Sequence, residues 1–228
     1  MISNSVSNKN WIFKKYNEQD VIFYKENYSL DELTSKLLSI RKIKKENVQA
    51  FLNPSIKNLL PNPEIINDMQ KSAKRTSHAI SQKHKIGIFG DYDVDGASAT
   101  ALLANFFNSI NVPYEIYIPD RKKEGYGPSA KSFKKLIDSG TKLILTVDCG
   151  TLSFEAIDYA SNNNTDVIVL DHHQSEVDLP KAYSIVNPNR LDDNSDLKYL
   201  CAAGVTFMFL VSLNKELRSI NWFIKSGT

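Results

Sequence analysis

Residues 86–96 read Ile-Gly-Ile-Phe-Gly-Asp-Tyr-Asp-Val-Asp-Gly, an apolar run followed at once by three aspartates. The apolar start predicts a buried strand, and the mainly apolar residues 97–110 that follow predict a helix. Carboxylates gathered at a strand-to-helix turn repel one another, and folding alone gives no reason to place them there. Asp91, Asp93 and Asp95 therefore predict a site that binds a cation or carries out a reaction.

Two further apolar runs end in the same kind of residue. Residues 143–147 lead directly to Asp148, and residues 167–170 lead to Asp171–His173. Ligands bind in the crevice beyond the carboxyl ends of the strands in an open parallel sheet, so these acids and imidazoles should meet there. The sequence predicts one polynuclear metal site.

Strands and helices alternate from Lys85 onward. Strands are predicted at residues 85–90, 114–118, 142–147 and 166–170, with helices at 96–110, 129–139 and 153–162 between them. This alternation, with continuous apolar strands, is typical of a parallel sheet that is covered on both faces. We therefore predict an α/β fold, a parallel sheet flanked by helices.

The first part of the chain has a different pattern, in which helical signals dominate. Ser29 and Glu32 have the spacing of a capping box at the start of a helix. Asp68 is in position to cap the helix that leads into the first strand. We predict a helical N-terminal segment at residues 1–67 and an α/β domain at residues 68–228.

Composition is that of a soluble globular protein, with 228 residues, 42% hydrophobic and 24% charged. A formal net charge of +2 neither supports nor excludes binding to nucleic acid. Cys149 and Cys201 do not form a paired framework, which favours a reducing compartment. Met1–Asn10 lacks the apolar core of a secretory signal, and no run is long enough to span a bilayer. We expect a cytoplasmic protein that is not bound to a membrane.

The predicted ligands are carboxylates and imidazoles without a thiolate, a set that favours manganese or magnesium over zinc. Asp91 and Asp93 can address different ions if the backbone turns between them, while Asp148 can bridge the ions and His172 can complete one of them. Two divalent cations about 3.5–4 Å apart generate a hydroxide near neutral pH and clamp a phosphoryl oxygen. The chemistry predicted from these residues is phosphoester hydrolysis.

Four segments, in order along the chain, resemble the successive motifs of the DHH phosphoesterase superfamily. They are Phe89–Gly96, Thr146–Gly150, Asp171–His173 and Cys201–Phe207. Phe89 departs from the pattern, because many members carry a histidine two residues before the first motif aspartate. We therefore expect the first ion to have one fewer protein ligand.

Within the superfamily, the chain is most similar to the N-terminal part of the RecJ-type family of bacterial exonucleases. Phe51–Ser55, Ile118–Arg121 and Glu124–Gly127 carry this closer similarity. The resemblance implies a manganese- or magnesium-dependent enzyme that degrades single-stranded DNA from 5′ to 3′ in repair and recombination. It makes no prediction of protein partners.

The resemblance also implies roles for individual residues. Asp91 would hold one ion, Asp93 and His172 the other, and Asp148 would bridge the two. His173 would then face the scissile phosphate.

Three more residues receive roles by the same resemblance. Asp95 and Asp171 would orient the ligands or cap the following turn, and Arg121 would lie near the cleft and contact substrate. The family pattern continues beyond Gly204 to another metal-binding aspartate that has no recognisable match before Thr228. We therefore expect the α/β domain to be truncated at its C-terminus.

Two other functions are compatible with the same residues. One is a small-nucleotide phosphodiesterase of the same superfamily. The other is a truncated, non-catalytic remnant that keeps the fold and binds nucleic acid. Metal binding separates an enzyme from a remnant.

Overall fold

The chain forms two compact units, Met1–Pro61 and Asn62–Thr228, in a computed structural model that describes residues 6–7, 9, 12 and 14–226. The prediction that Met1–Asn10 lacks a secretory signal falls mostly on residues outside the described ones. No helix in the described part of the chain combines the length and the apolar character needed to cross a membrane.

The first unit is helical. Its α-helices are α1 (Glu18–Tyr28), α2 (Glu32–Ile40), α3 (Val48–Leu52) and α4 (Ile56–Leu59). Tyr24, Leu38 and Val48 form its buried core. The Tyr24 hydroxyl donates a hydrogen bond to the backbone oxygen of Ile43 at 2.7 Å, which satisfies the polar end of a buried ring.

The capping box predicted at Ser29 is wrong. Ser29 ends α1 with a left-handed backbone (φ 51°), and Asp31 caps α2 by accepting a hydrogen bond from the Thr34 backbone nitrogen at 2.9 Å. A carboxylate is both a good N-cap and a favourable charge at the positive end of a helix, so Asp31 takes the position that the sequence pattern gave to the serine.

The second unit is an α/β domain, which confirms the predicted fold class. Its strands are β1 (Ile86–Phe89), β2 (Tyr114–Tyr117), β3 (Leu143–Val147), β4 (Asp166–Leu170) and β5 (Ser184–Val186). Its helices are α5 (Met69–Ser81), α6 (Val94–Ser109), α7 (Ala130–Asp138), α8 (Phe154–Asn162), α9 (Ala202–Ser219) and α10 (Trp222–Ser226). The described strands form one sheet in the order β2-β1-β3-β4-β5, and every pair is parallel.

Helices cover both faces of the sheet. The helices α7 and α8 pack together over a core that includes Phe89, Ile144 and Val169, while α6 and α9 pack together and contact the central strands. Phe89, the residue that departs from the family pattern, stacks on Tyr117 with ring centroids 5.6 Å apart. Position 89 thus contributes to the core in this chain.

Asp68 precedes α5 but does not cap it with its side chain, contrary to the sequence prediction. Its backbone is left-handed (φ 62°), and its carboxylate accepts hydrogen bonds from the Ile185 backbone nitrogen at 3.1 Å and from Arg190 Nη1 at 2.9 Å. The side chain therefore ties α5 to β5, a strand too short to be predicted from periodicity.

The order of the strands places a crevice between β1 and β3. The connection after β1 runs to β2 on one side, whereas the connection after β3 runs to β4 on the other side. Ligands bind at such a switch point, outside the carboxyl ends of the strands. The aspartates after β1 and β3 flank this crevice.

Candidate metal centre

The turn after β1 brings Asp91 and Asp93 to the crevice. Asp93 caps α6 by accepting a hydrogen bond from the Gly96 backbone nitrogen at 2.9 Å, and this bond is the largest cause that lowers the pKa of Asp93. Asp91 is buried, burial raises its pKa, and its Oδ1 has no hydrogen-bond partner among the described residues. Gly96 makes the turn possible, because a Cβ there would lie 2.8 Å from the Asp91 Cα.

Asp148, directly after β3, has the most perturbed carboxyl group in the cluster. Its backbone is left-handed (φ 61°), a conformation that aspartate tolerates better than most residues, and the residue is only 2% exposed. Burial, followed by the negative charges of Asp95 and Asp93, raises the pKa of Asp148 to about 8. The interaction between the two side chains shifts their pKa values in opposite directions, raising that of Asp148 and lowering that of Asp93.

Asp171, directly after β4, organises the turn that carries both histidines. Its carboxylate accepts hydrogen bonds from the Thr151 hydroxyl at 2.6 Å and the His172 backbone nitrogen at 2.7 Å, and it lies 2.7 Å from His173 Nδ1. Burial raises the pKa of Asp171, but the hydrogen bonds from His173 and Thr151 outweigh it and the pKa falls below its ordinary value. The hydrogen bond between Asp171 and His173 also raises the pKa of His173.

Five predicted site residues come together in two groups. The first group is Asp91, Asp93 and Asp148, and the second is Asp148, His172 and His173; in each, ligand atoms lie within 4.8 Å of one another. His172 Nε2 is 3.3 Å from Asp148 Oδ1. Asp148 belongs to both groups, as a bridging ligand would. The assignment of the other ligands to individual ions stays a prediction.

Asp95 lies beside the second group, and its carboxylate binds the start of α9. Its two carboxylate oxygens accept hydrogen bonds from the backbone nitrogens of Ala202 and Ala203 at 2.7 and 2.8 Å. A carboxylate in this position satisfies free N–H groups at a helix N-terminus. Asp95 Oδ2 also lies 3.5 Å from His172 Nε2, so the residue connects α9 to the histidine turn.

Arg121 lies outside both groups, in the exposed loop after β2. Its guanidinium carbon is 5.3 Å from the centre of the Tyr92 ring, a cation–π contact with the turn that carries Asp91. The positive charge of Arg121 is among the smaller causes that act on the pKa of Asp91, and it opposes the effect of burial. The charge therefore reaches the crevice while the side chain stays accessible.

Two asparagines that sequence reasoning missed hold the histidine turn from behind. Asn187, fully buried after β5, donates hydrogen bonds to the Thr151 hydroxyl and the His173 backbone oxygen, both at 2.9 Å. Asn189 donates to the His172 backbone oxygen at 2.6 Å. The available signal was an Asn-Pro-Asn run directly after the apolar pair Ile-Val at the end of β5.

Tyr126 is the third residue without an assigned role in the sequence analysis. Its hydroxyl donates a hydrogen bond to the Asp148 backbone oxygen at 2.9 Å and lies 3.4 Å from His173 Nδ1. Burial, followed by the charge of Asp171, raises the pKa of Tyr126. The neutral hydroxyl therefore links the turn after β3 to the histidine turn.

The arrangement fits a pair of divalent cations. The Asp91 Oδ1 atom is buried without a partner among the described residues, and such an atom is costly unless a ligand satisfies it. Burial and nearby negative charge raise the pKa of Asp148, and a bound cation opposes this shift because it stabilises the ionised carboxylate. The donors are carboxylate oxygens and imidazole nitrogens, a set suited to manganese or magnesium.

The chain belongs to the DHH family, because residues 85–224 match the family's N-terminal domain. It is 32% identical over 212 residues to the single-stranded-DNA-specific exonuclease RecJ of Bacillus subtilis, and 34% identical over 175 residues to RecJ of Escherichia coli. These alignments cover 92% and 75% of this chain, but only 27% and 30% of the relatives.

A solved structure supports the same relationship. The crystal structure of an exonuclease RecJ bound to manganese is 30% identical to this chain, with a TM-score of 0.61. The match covers 67% of this chain and 38% of the solved chain. The resemblance to the RecJ-type family is therefore confirmed in sequence and in fold.

Proposed function

We propose that this chain is the metal-binding part of an exonuclease that hydrolyses phosphodiester bonds in single-stranded DNA. One observation carries the proposal: Asp148 belongs to both ligand groups, so a single carboxylate would connect two adjacent cation sites. The family and the similarity to RecJ support the reaction class and the substrate. Manganese is the expected cation, with magnesium as the alternative.

Asp91, Asp93, Asp148 and His172 would hold the two cations. When bound, such a pair supplies a hydroxide near neutral pH and neutralises charge on a phosphoryl group. Asp148 would bind the cations as the ionised carboxylate, because ligation requires a deprotonated ligand. Asp171 and Asn187 hold the histidine turn in place, and rigid support of this kind preserves ligand geometry.

His173 would act on the substrate. Asp171 lies 2.7 Å from Nδ1 and favours the protonated ring, which leaves Nε2 free to donate to a phosphate oxygen. Arg121, exposed beside the crevice, supplies a second positive charge for the DNA backbone. The proposed roles are therefore contact with the scissile phosphate for His173 and substrate binding for Arg121.

The remaining features of the proposal rest on the sequence. The 5′ to 3′ direction, the role in repair and recombination, the cytoplasmic location and the division at residues 67 and 68 stay predictions. Protein partners stay unassigned.

The test is hydrolysis with manganese of 5′-phosphorylated single-stranded and double-stranded oligonucleotides and of a dinucleotide. We expect mononucleotide products from the single strand, and complete loss of activity in Asp148→Ala. Asp158→Ala is the matched control, because Asp158 is an exposed carboxylate on α8 and outside the ligand groups.

The results separate the three functions. Cleavage of the dinucleotide alone would indicate a small-nucleotide phosphodiesterase, and manganese-independent DNA binding without cleavage would indicate a non-catalytic remnant. Activity of Asp148→Ala within a few-fold of the wild type would remove Asp148 from the proposed bridging position.

A further inference from the structure

A cleft of about 580 Å³ lies beside the histidine turn. The segments 126–129 and 150–156 form its walls, and Asp171 and His173 form the end that joins the metal centre. The volume lies within the range of small-molecule binding sites. The mechanism proposed above uses only that end of the cleft.

Large apolar side chains line this cleft and remain exposed. The exposed fractions are 56% for Tyr126, 45% for Leu152 and 40% for Phe154. Single exposed apolar residues are ordinary on a protein surface, but several around one concave site indicate a ligand that covers them. The cleft therefore offers an apolar, partly aromatic binding surface.

The polar groups of the cleft indicate which kind of ligand it accepts. None of the described lining residues is a lysine or an arginine; Asp171 is paired with His173 at the end beside the metal centre, and Glu155 contributes negative charge farther along the cleft. The Ser153 side chain makes no capping hydrogen bond to α8, and Gln174 is exposed, so both are available to a ligand. Apart from His173, the cleft has no cationic side chain among its described lining residues, and its apolar surface with polar groups beside it suits a flat, uncharged group with polar edges.

We propose that this cleft binds the nucleobase of a nucleotide directly bonded to the scissile phosphate. Phe154 and Leu152 provide the stacking surface, and Ser153 and Gln174 contact the polar edge of the base. His173 lines the cleft and also belongs to the second ligand group, so a phosphate at the metal centre brings an attached base to the cleft entrance. This inference rests on the proposed function.

The test combines a protein variant with a missing base. Hydrolysis by the wild type and Phe154→Ala is measured on an intact oligonucleotide and on oligonucleotides that are abasic at the first or second nucleotide. Base–aromatic stacking contributes enough that either change should raise KM about 5- to 100-fold. Both changes remove the same contact. On the abasic substrate that raises KM for the wild type, Phe154→Ala should therefore have the same KM as the wild type.

Controls separate stacking from damage to the fold. Phe154→Tyr keeps the ring and should restore most of the KM increase that Phe154→Ala causes on the intact substrate. Leu152→Ala should raise KM in the same base-dependent way, whereas Val177→Ala, which removes an exposed apolar side chain outside the cleft, should not. Equilibrium binding of the same oligonucleotides with non-hydrolysable linkages repeats the comparison without turnover.

Two results would overturn the inference while the proposed function survives. One is DNA hydrolysis with the same KM for intact and abasic substrates. The other is a KM increase in Phe154→Ala that multiplies with the KM increase from the missing base. Independent effects of this kind would indicate that the apolar wall contacts protein and not the base. A wild-type chain that neither hydrolyses nor binds any of the oligonucleotides would contradict the proposed function and this inference together.

Discussion

Asp148→Asn should stabilise the metal-free protein, and the gain should increase with pH. The folded state raises the Asp148 pKa from an ordinary value of 3.8 to about 8, first through burial and then through the charges of Asp95 and Asp93. Between these pH values the folded chain keeps a proton that the unfolded chain has released. The free energy of unfolding of the wild type therefore falls as pH rises through this window and levels off above it.

The size of the effect follows from the shift. From pH 5 to pH 8 the window spans about three pH units, each equivalent to about 1.4 kcal/mol, which sets a ceiling of about 4 kcal/mol. Relaxation among the neighbouring carboxylates lowers the expected value to about 2 kcal/mol. An asparagine cannot ionise, so Asp148→Asn lacks this loss.

Urea unfolding with a chelator at pH 5, 6, 7 and 8 measures the difference between variant and wild type. Asp158→Asn, with an exposed carboxyl group, should track the wild type at every pH. Added manganese should reverse the order, since only the wild type gains binding energy from a complete site. A difference between Asp148→Asn and the wild type that stays constant from pH 5 to pH 8 would refute the reasoning.

Three further changes have definite expected results. Gly96→Ala places a Cβ 2.6 Å from the Asp91 Cβ and should cost about 1–3 kcal/mol in urea unfolding; unchanged stability would show that the turn relaxes easily. Asn187→Ala removes the hydrogen bonds to Thr151 and to the His173 backbone and should lower manganese affinity by about tenfold in calorimetry; unaltered affinity would contradict this role. Asp171→Asn removes the main cause that raises the His173 pKa, so NMR titration of the metal-free variant should give a lower pKa than in the wild type. A raised histidine pKa stabilises the fold at low pH, and this stabilisation is lost as pH rises through the folded pKa. The Asp171→Asn variant should therefore lose less stability above pH 6.5 than the wild type. An equal loss in both proteins would contradict the assignment.

The sequence was sufficient to predict the sheet because its signals are local and repeated. Each central strand is a continuous apolar run, and the predicted and observed bounds of β4, residues 166–170, are identical. The site followed from one topological rule, that the ends of parallel strands share an edge. Asp91, Asp148 and Asp171 could therefore be placed together before their distances were known.

Contacts between distant segments could not be predicted in the same way. Asp68 binds Arg190, 122 positions away, and Asp95 reaches the start of α9, 107 positions from Ala202. Nothing in the local sequence distinguishes such a carboxylate from an ordinary N-cap. Asn187 was missed for the same reason, since its partner Thr151 belongs to a different strand end.

The central claim is that one shared carboxylate joins two cation sites. The most direct test is a titration of the chelator-treated chain with manganese, monitored by electron paramagnetic resonance and calorimetry. The geometry predicts a pair of ions close enough to couple magnetically, with both the coupling and the second binding event lost in Asp148→Ala but not in Asp158→Ala. Binding of a single isolated ion by the wild type, or a coupled pair that persists in Asp148→Ala, would contradict it.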